Sequence, residues 1–197
     1  MDDLEFYGSF SFLKGGIVHS DRITTVSRTY AREMMTPEYG EGMEGVLADR
    51  AGAISGIVNG IDTASWDPAG DPVLAAPYNA GSISPRRKCR KDLLVTAGME
   101  DRGLIASVVS RLTMQKGLDL LFPVMEKLLP EMSFVVLGTG EKEYERRLAR
   151  MCRSNPGRMS AFLRYDEDMA RKIFGGCDLV VMPSRFEPCG LAQMIGM

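Results

Sequence analysis

Histidine is nearly missing: His19 is the only one in 197 residues, and it cannot form a histidine-based metal or triad site alone. His19 in IVHSDRITTVS reads as a surface or helix-end residue. The four cysteines, Cys89, Cys152, Cys177 and Cys189, include no Cys-x-x-Cys pair, which argues against a structural zinc site or a disulfide framework and leaves reduced thiols. Excess charge is also absent. A net charge of -2 offers no electrostatic footing for nucleic acid. No apolar run approaches the about 20 residues of a membrane span, and the opening MDDLEFYG is acidic, unlike a signal peptide. A cytoplasmic protein is expected, with neither membrane nor nucleic-acid partner.

What is present is a globular balance of 45% hydrophobic and 25% charged residues, enough to bury a sizeable core. The second half alternates apolar runs with helix-period segments. IASVVS reads as a buried strand, and GLDLLFPVMEKLL places Leu118, Leu121, Phe122, Met125 and Leu129 on one helical face. SFVVLG, the amphipathic EKEYERRLARMCRS, AFLRY, DEDMARKIFGG and DLVVMPS continue the series. Such β-α alternation predicts an α/β fold, a Rossmann-like parallel sheet with helices on both faces.

The first third is less regular. RITTVS reads as its one strand, followed by a helix in TYAREMMT capped by Ser27. Residues 62–85, DTASWDPAGDPVLAAPYNAGSISP, are rich in Pro and Gly and show no element of their own, so they read as a crossing between domains. RRKCRK reads as a solvated helix face. At the other end a strand leads to a helix expected at Gly190 and the chain stops at Met197, which gives the expectation of a piece truncated at both ends.

Candidate chemistry sits where strands end, because ligands of open parallel sheets bind outside the carboxyl ends. Arg111 follows one strand and Lys116 opens the next helix; a guanidinium and an ammonium there suit a diphosphate, and a surface ion pair is the plainer alternative. LGTGEKEY supplies Gly138, Thr139 and Gly140, a tight Gly-x-Gly turn that lets a ligand approach the backbone, though Tyr144 replaces the third glycine of a dinucleotide fingerprint. Tyr165 offers a ring for a base or for loop packing. PSRFEPCGLAQM sets Glu187 ahead of Pro188, Cys189 and Gly190, a sharp strand-to-helix turn with free amides.

These stretches carry a resemblance. LEFYGSFSFLKGG, SDRITTVSRTYARE, YGEGMEGVL, GIVNGID with Trp66, SRLTMQKGLDLL, VVLGTGE and PSRFEPCGLAQM, in order over essentially the whole chain, resemble bacterial glycogen synthases and plant starch synthases, glycosyltransferase family 5. The resemblance implies a GT-B fold of two Rossmann-like domains. Residues 1–62 would be the tail of the N-terminal domain, 63–103 the interdomain crossing and start of the second, and 104–197 the incomplete nucleotide-sugar-binding domain. It implies retaining transfer of glucose from ADP-glucose to the nonreducing end of an α-1,4-glucan, without metal or other cofactor.

In that pattern Arg111, Lys116 and Glu187 are the catalytic positions, with Arg111 and Lys116 on the diphosphate and Glu187 on the glucose hydroxyls. Asn59, Gly138, Thr139, Gly140, Tyr165, Cys189, Gly190 and Leu191 bind substrate, Tyr165 by stacking on adenine. Arg164 stands where the family usually has glycine. Ile195 stands where related GT-B families place a second acid. Lys14-Gly15-Gly16 belongs to SFLKGG and is not the family's N-terminal Lys-x-Gly-Gly loop. A non-catalytic nucleotide-sugar or glucan binding module, or another GT-B transferase, is the alternative reading.

Overall fold

The computed structural model describes residues 3–197, and the chain divides into two compact units. The first comprises residues up to Gly60 together with Pro188–Gly190; the second comprises Ile61–Glu187 and Leu191–Met197.

The first unit opens with a hairpin of β1 (Glu5–Phe6) and β2 (Ser9–Phe10). Its two turn residues, Tyr7 and Gly8, both have positive φ, as a two-residue hairpin with right-handed strand twist requires. Helix α1 (Phe12–His19) is capped by the Ser11 hydroxyl, which accepts from the Lys14 amide. His19 is its last residue, exposed beside Asp3 at 3.2 Å, so the helix-end reading holds. Strand β3 (Ile23–Thr25) precedes α2 (Arg28–Glu33), whose N-cap is Ser27 as expected, its hydroxyl accepting from Tyr30 N at 2.8 Å. After α3 (Glu44–Asp49) comes β4 (Ile54–Gly56), parallel to β3 around a core of Met34, Met43 and Leu47. One strand was expected here and the described residues hold four; strands of two or three residues are too short to imprint a period on the sequence.

The second unit carries the sheet. Helix α4 (Arg86–Ala97) ends on Gly98 in the left-handed region. There follow β5 (Ile105–Val109), α5 (Leu118–Leu128), β6 (Ser133–Leu137), α6 (Lys142–Ser154), β7 (Met159–Phe162), α7 (Glu167–Gly176), β8 (Leu179–Val180) and α8 (Leu191–Gly196). All four strands are parallel, in the order β7-β6-β5-β8. Alternation along β6 explains why its sequence is apolar from Phe134 to Leu137. Phe134 and Val136 pack with Phe122 and Met125 of α5 and Leu148 of α6. Val135 and Leu137 pack with Leu93 of α4 and Ile173 of α7. Both faces are therefore covered by helices, as expected for a parallel sheet.

Residues 62–85 form turns without helix or strand, as expected, and from Ile61 onward they pack within the second unit. Two local expectations change. RRKCRK is helical, but only Arg87, Lys88 and Lys91 are solvated: Cys89 is buried, and Arg90 binds Asp101, Asp178 and the Gly103 carbonyl. The strand-to-helix turn of PSRFEPCGLAQM is not sharp. Strand β8 ends at Val180 and α8 begins at Leu191, so residues 181–190 form a long loop, in which the Val181 amide bonds to the Ser107 carbonyl of β5 and the Arg185 amide to the Gln115 carbonyl.

Candidate functional site

The strand order reverses after β7: the chain returns past β6 and β5 and adds β8 on the far side of β5. Crevices of open α/β sheets lie at such a switch point, outside the carboxyl ends of the diverging strands. Here those ends are the loops 110–117, after β5, and 181–187, after β8.

Their polar bonds are closely interlocked. Arg185 donates its amide to the Gln115 carbonyl at 2.9 Å and grips Asp119 with two 2.7 Å bonds, while a third reaches the Met114 carbonyl. That fork holds the Asp119 carboxyl below the usual range, first through its hydrogen bond with Arg185. Gly117, at φ 68°, lies so close to Pro183 that an added Cβ would fall 2.0 Å from its carbonyl oxygen, so a glycine is required. Between these anchors Lys116 Nζ donates to Glu187 Oε2 at 2.5 Å, and the Ser184 hydroxyl donates to the same oxygen at 3.0 Å. Lys116 ends a 3-10 turn (Met114–Lys116) two residues before α5 rather than opening the helix. Arg111 is exposed and, among the described residues, its guanidinium is held by Gln115 Oε1 alone, at a loose 3.3 Å, so it can turn toward a ligand.

The loop after β6 is built from glycines for steric reasons. A Cβ on Gly138 would lie 1.8 Å from the Ser110 carbonyl oxygen, and one on Gly140 2.3 Å from that of Leu112. Leu112 N donates to Thr139 O, Glu141 N to Leu112 O, and Met114 N to the Glu141 side chain, tying this loop to that of Arg111. Glu145 locks it from α6, accepting from Lys142, the Thr139 hydroxyl and the Gly140 amide. Those three donors, Lys142 foremost, lower its pKa from 4.5 to about 2. A carboxylate depressed on folding contributes stability that is complete above its unfolded pKa and fades as pH falls through the folded one. Wild type should therefore lose stability relative to Glu145→Gln between about pH 4.5 and about pH 2. Urea denaturation across that window checks this; parallel curves for the two proteins contradict it.

After β7 stand Arg164, Tyr165 and Asp166. Asp166 caps α7, accepting from Met169 N at 2.9 Å with one oxygen and from Arg164 with the other. Its pKa is lowered by the Met169 amide first and Arg164 second. Arg164 lies over the Phe162 ring, 5.2 Å from its centroid. Tyr165 is 85% exposed, with its ring offered to solvent.

A cavity of roughly 490 Å³ runs along these ends. Of the sequence candidates, Arg111, Gly138, Thr139, Tyr165 and Leu191 line it. Lys116 and Glu187 pair with each other at the switch point and are not in its wall; Gly140 packs against Leu112. Asn59, Cys189 and Gly190 lie in the first unit. Ile195 and Arg164, singled out in the sequence only as departures from a pattern, are wall residues. Trp66 and Phe174 are wall residues to which the sequence assigned no role. For Trp66 the available signal was a lone tryptophan in a polar, Gly- and Pro-rich stretch.

With this geometry in place, the comparisons with known proteins are specific. Residues 1–49 match the family model described as starch synthase catalytic domain, and residues 96–194 the model described as glycosyl transferases group 1. The chain is 43% identical, over its whole length, to the glycogen synthase of Thermodesulfovibrio yellowstonii, and 46% identical, over 98% of its length, to glycogen synthase 1 of Methylococcus capsulatus. It spans about 40% of the length of each. Among solved structures, the catalytic domain of starch synthase IV from Arabidopsis thaliana, bound to ADP and acarbose, superposes with a TM-score of 0.86 at 35% identity, covering 93% of this chain and 39% of that one. The parallel sheet flanked by helices matches the GT-B architecture of these glycosyltransferase neighbours.

Proposed function

The chain belongs to the group 1 glycosyl transferases, and from that premise we propose that it is the donor-binding segment of a retaining glucosyltransferase that moves glucose from ADP-glucose to the nonreducing end of an α-1,4-glucan. The observation that carries this reading is the switch-point arrangement: cations on the loop after β5, a carboxylate on the loop after β8, and an exposed ring after β7. A nucleoside diphosphate sugar has the matching order of groups, with a ring to stack, a dianion to neutralise and hydroxyls to orient.

In this reading Tyr165 stacks on the adenine, and Gly138, Thr139 and Gly140 let the diphosphate approach the backbone. Arg111 and Lys116 neutralise the charge that grows on ADP as the bond from its phosphate oxygen to the anomeric carbon breaks. Glu187 accepts from the glucose hydroxyls and so fixes the anomeric carbon for the incoming glucan hydroxyl. Cys189, Gly190 and Leu191 supply amides to the sugar, and Asn59 is a further substrate contact. Until donor arrives, Lys116 and Glu187 satisfy one another, which lowers the cost of keeping both charges partly desolvated. The reading needs no metal or cofactor, and it places the protein in the cytoplasm, where its four thiols stay reduced.

Two measurements on the chain itself test the proposal. Calorimetric titration should show saturable binding of ADP. Incubation with ADP-glucose and a glucan primer should show no elongation, because the chain spans about 40% of its relatives and two-domain closure around the donor needs the remainder. Absence of ADP binding, or turnover above that of a Glu187→Ala control, would overturn it.

A further inference from the structure

Residues 62–78 contain no helix or strand, yet one guanidinium clamps them to α7. Arg171 Nη1 donates to the Ser65 carbonyl and, at 2.9 Å, to Asp71 Oδ2. Its Nη2 donates to the Ser65 hydroxyl at 2.8 Å and to Glu167 Oε1 at 2.6 Å. The side chains of Arg171 and Asp71 are only 10% and 4% exposed, and Asp71 is itself fixed by the Val73 amide at 2.9 Å. Holding the loop would require no more than this. Arg171 also lies over the indole of Trp66, 4.4 Å from its centroid, while Phe174 meets that indole edge-on at 6.0 Å. A planar guanidinium whose two terminal nitrogens are both committed to other partners fixes the plane of the ring it covers. Trp66, Phe174 and Tyr165 are the aromatic residues of the cavity wall.

We infer that Trp66 is a second aromatic contact for the nucleobase of the donor, and that Arg171, which does not line the cavity, is the residue that positions it. The inference rests on the donor-binding reading above and adds to it a residue pair that the candidate motifs do not contain. It also assigns a purpose to the irregular stretch: 62–78 delivers one ring to the wall.

Trp66 is the sole tryptophan of the chain, so its fluorescence reports on this ring alone. Titration with ADP should change the Trp66 emission saturably, with the midpoint found by parallel calorimetry. Arg171→Ala would leave Asp71 buried without its partner, so the informative variant is Arg171→Lys, which keeps the charge and loses the planar fork. Its Trp66 emission should shift to the red and its ADP dissociation constant should rise about fivefold to tenfold, since one stacking contact is misaligned. Trp66→Leu should weaken ADP by a similar factor in calorimetry. ADP binding with silent Trp66 emission, or an Arg171→Lys protein with lowered thermal midpoint but unchanged ADP affinity, overturns the inference and leaves the donor-binding reading intact. Wild type that binds no ADP by calorimetry overturns both.

Discussion

Replacing Lys116 by alanine in an enzyme that carries this segment complete with its partner domain should lower the turnover number about a hundredfold, the usual scale for losing one preorganised donor to a developing anion. The donor Michaelis constant should move much less. The ammonium is already fixed before donor arrives, 2.5 Å from Glu187 and with its side chain only 15% exposed, so little reorganisation is needed as charge grows on the departing diphosphate. Removing it also strands Glu187, whose remaining donor is the Ser184 hydroxyl, as a carboxylate beside an incoming dianion. Arg111→Ala should act in the same direction. Its loose 3.3 Å contact with Gln115 means that the free protein loses almost nothing and the cost falls on the transition state. Steady-state kinetics with ADP-glucose decides the matter: a raised Michaelis constant with unchanged turnover would reassign both cations to plain binding.

Glu187→Gln should fold normally and still lower turnover by about tenfold or more, because a misaligned anomeric carbon is penalised steeply. The amide oxygen can accept from both Lys116 and Ser184, which preserves the loop, while the charge that strengthens bonds from the sugar hydroxyls is gone. The plainest rival explanation of Glu187, a surface pair with its neighbour Arg185, is removed by geometry: Arg185 is committed to Asp119 through two 2.7 Å bonds. A Glu187→Gln enzyme with an unchanged thermal midpoint and near-normal turnover would reduce Glu187 to a clasp for Lys116.

Sequence and tertiary structure contribute unequally to this site. Strands β5 and β6 were legible because strands buried on both faces read as near-continuous apolar runs, here interrupted by the small Ser107 and Ser133. The helices between them were legible because Leu118, Leu121, Phe122 and Met125 repeat with the helical period and all turn inward. Strand-to-helix alternation then implies parallel strands, and parallel strands place Arg111, Gly138, Tyr165 and Glu187 beyond the same sheet edge. Boundaries were less legible. The strand read at AFLRY is Met159–Phe162, since pairing with β6 rather than hydrophobicity sets where it stops.

Only the tertiary structure decided which charges meet. Arg185 and Glu187 are two residues apart, and nothing in PSRFEPCG says that one turns to Asp119 and the other to Lys116, 71 positions away. Nor could the sequence join Trp66 to Arg171, since residues 62–85 have no period and the bonds that place them, those of Arg171 to Asp71 and Ser65 among them, come from residues about a hundred positions away. Hydrophobic period is a local quantity, fixed within a turn or a strand, so it is written in consecutive residues. The choice of partner for a loop side chain is fixed by which strands close beside one another, and for this chain that was settled when β8 returned past β6 to pair with β5.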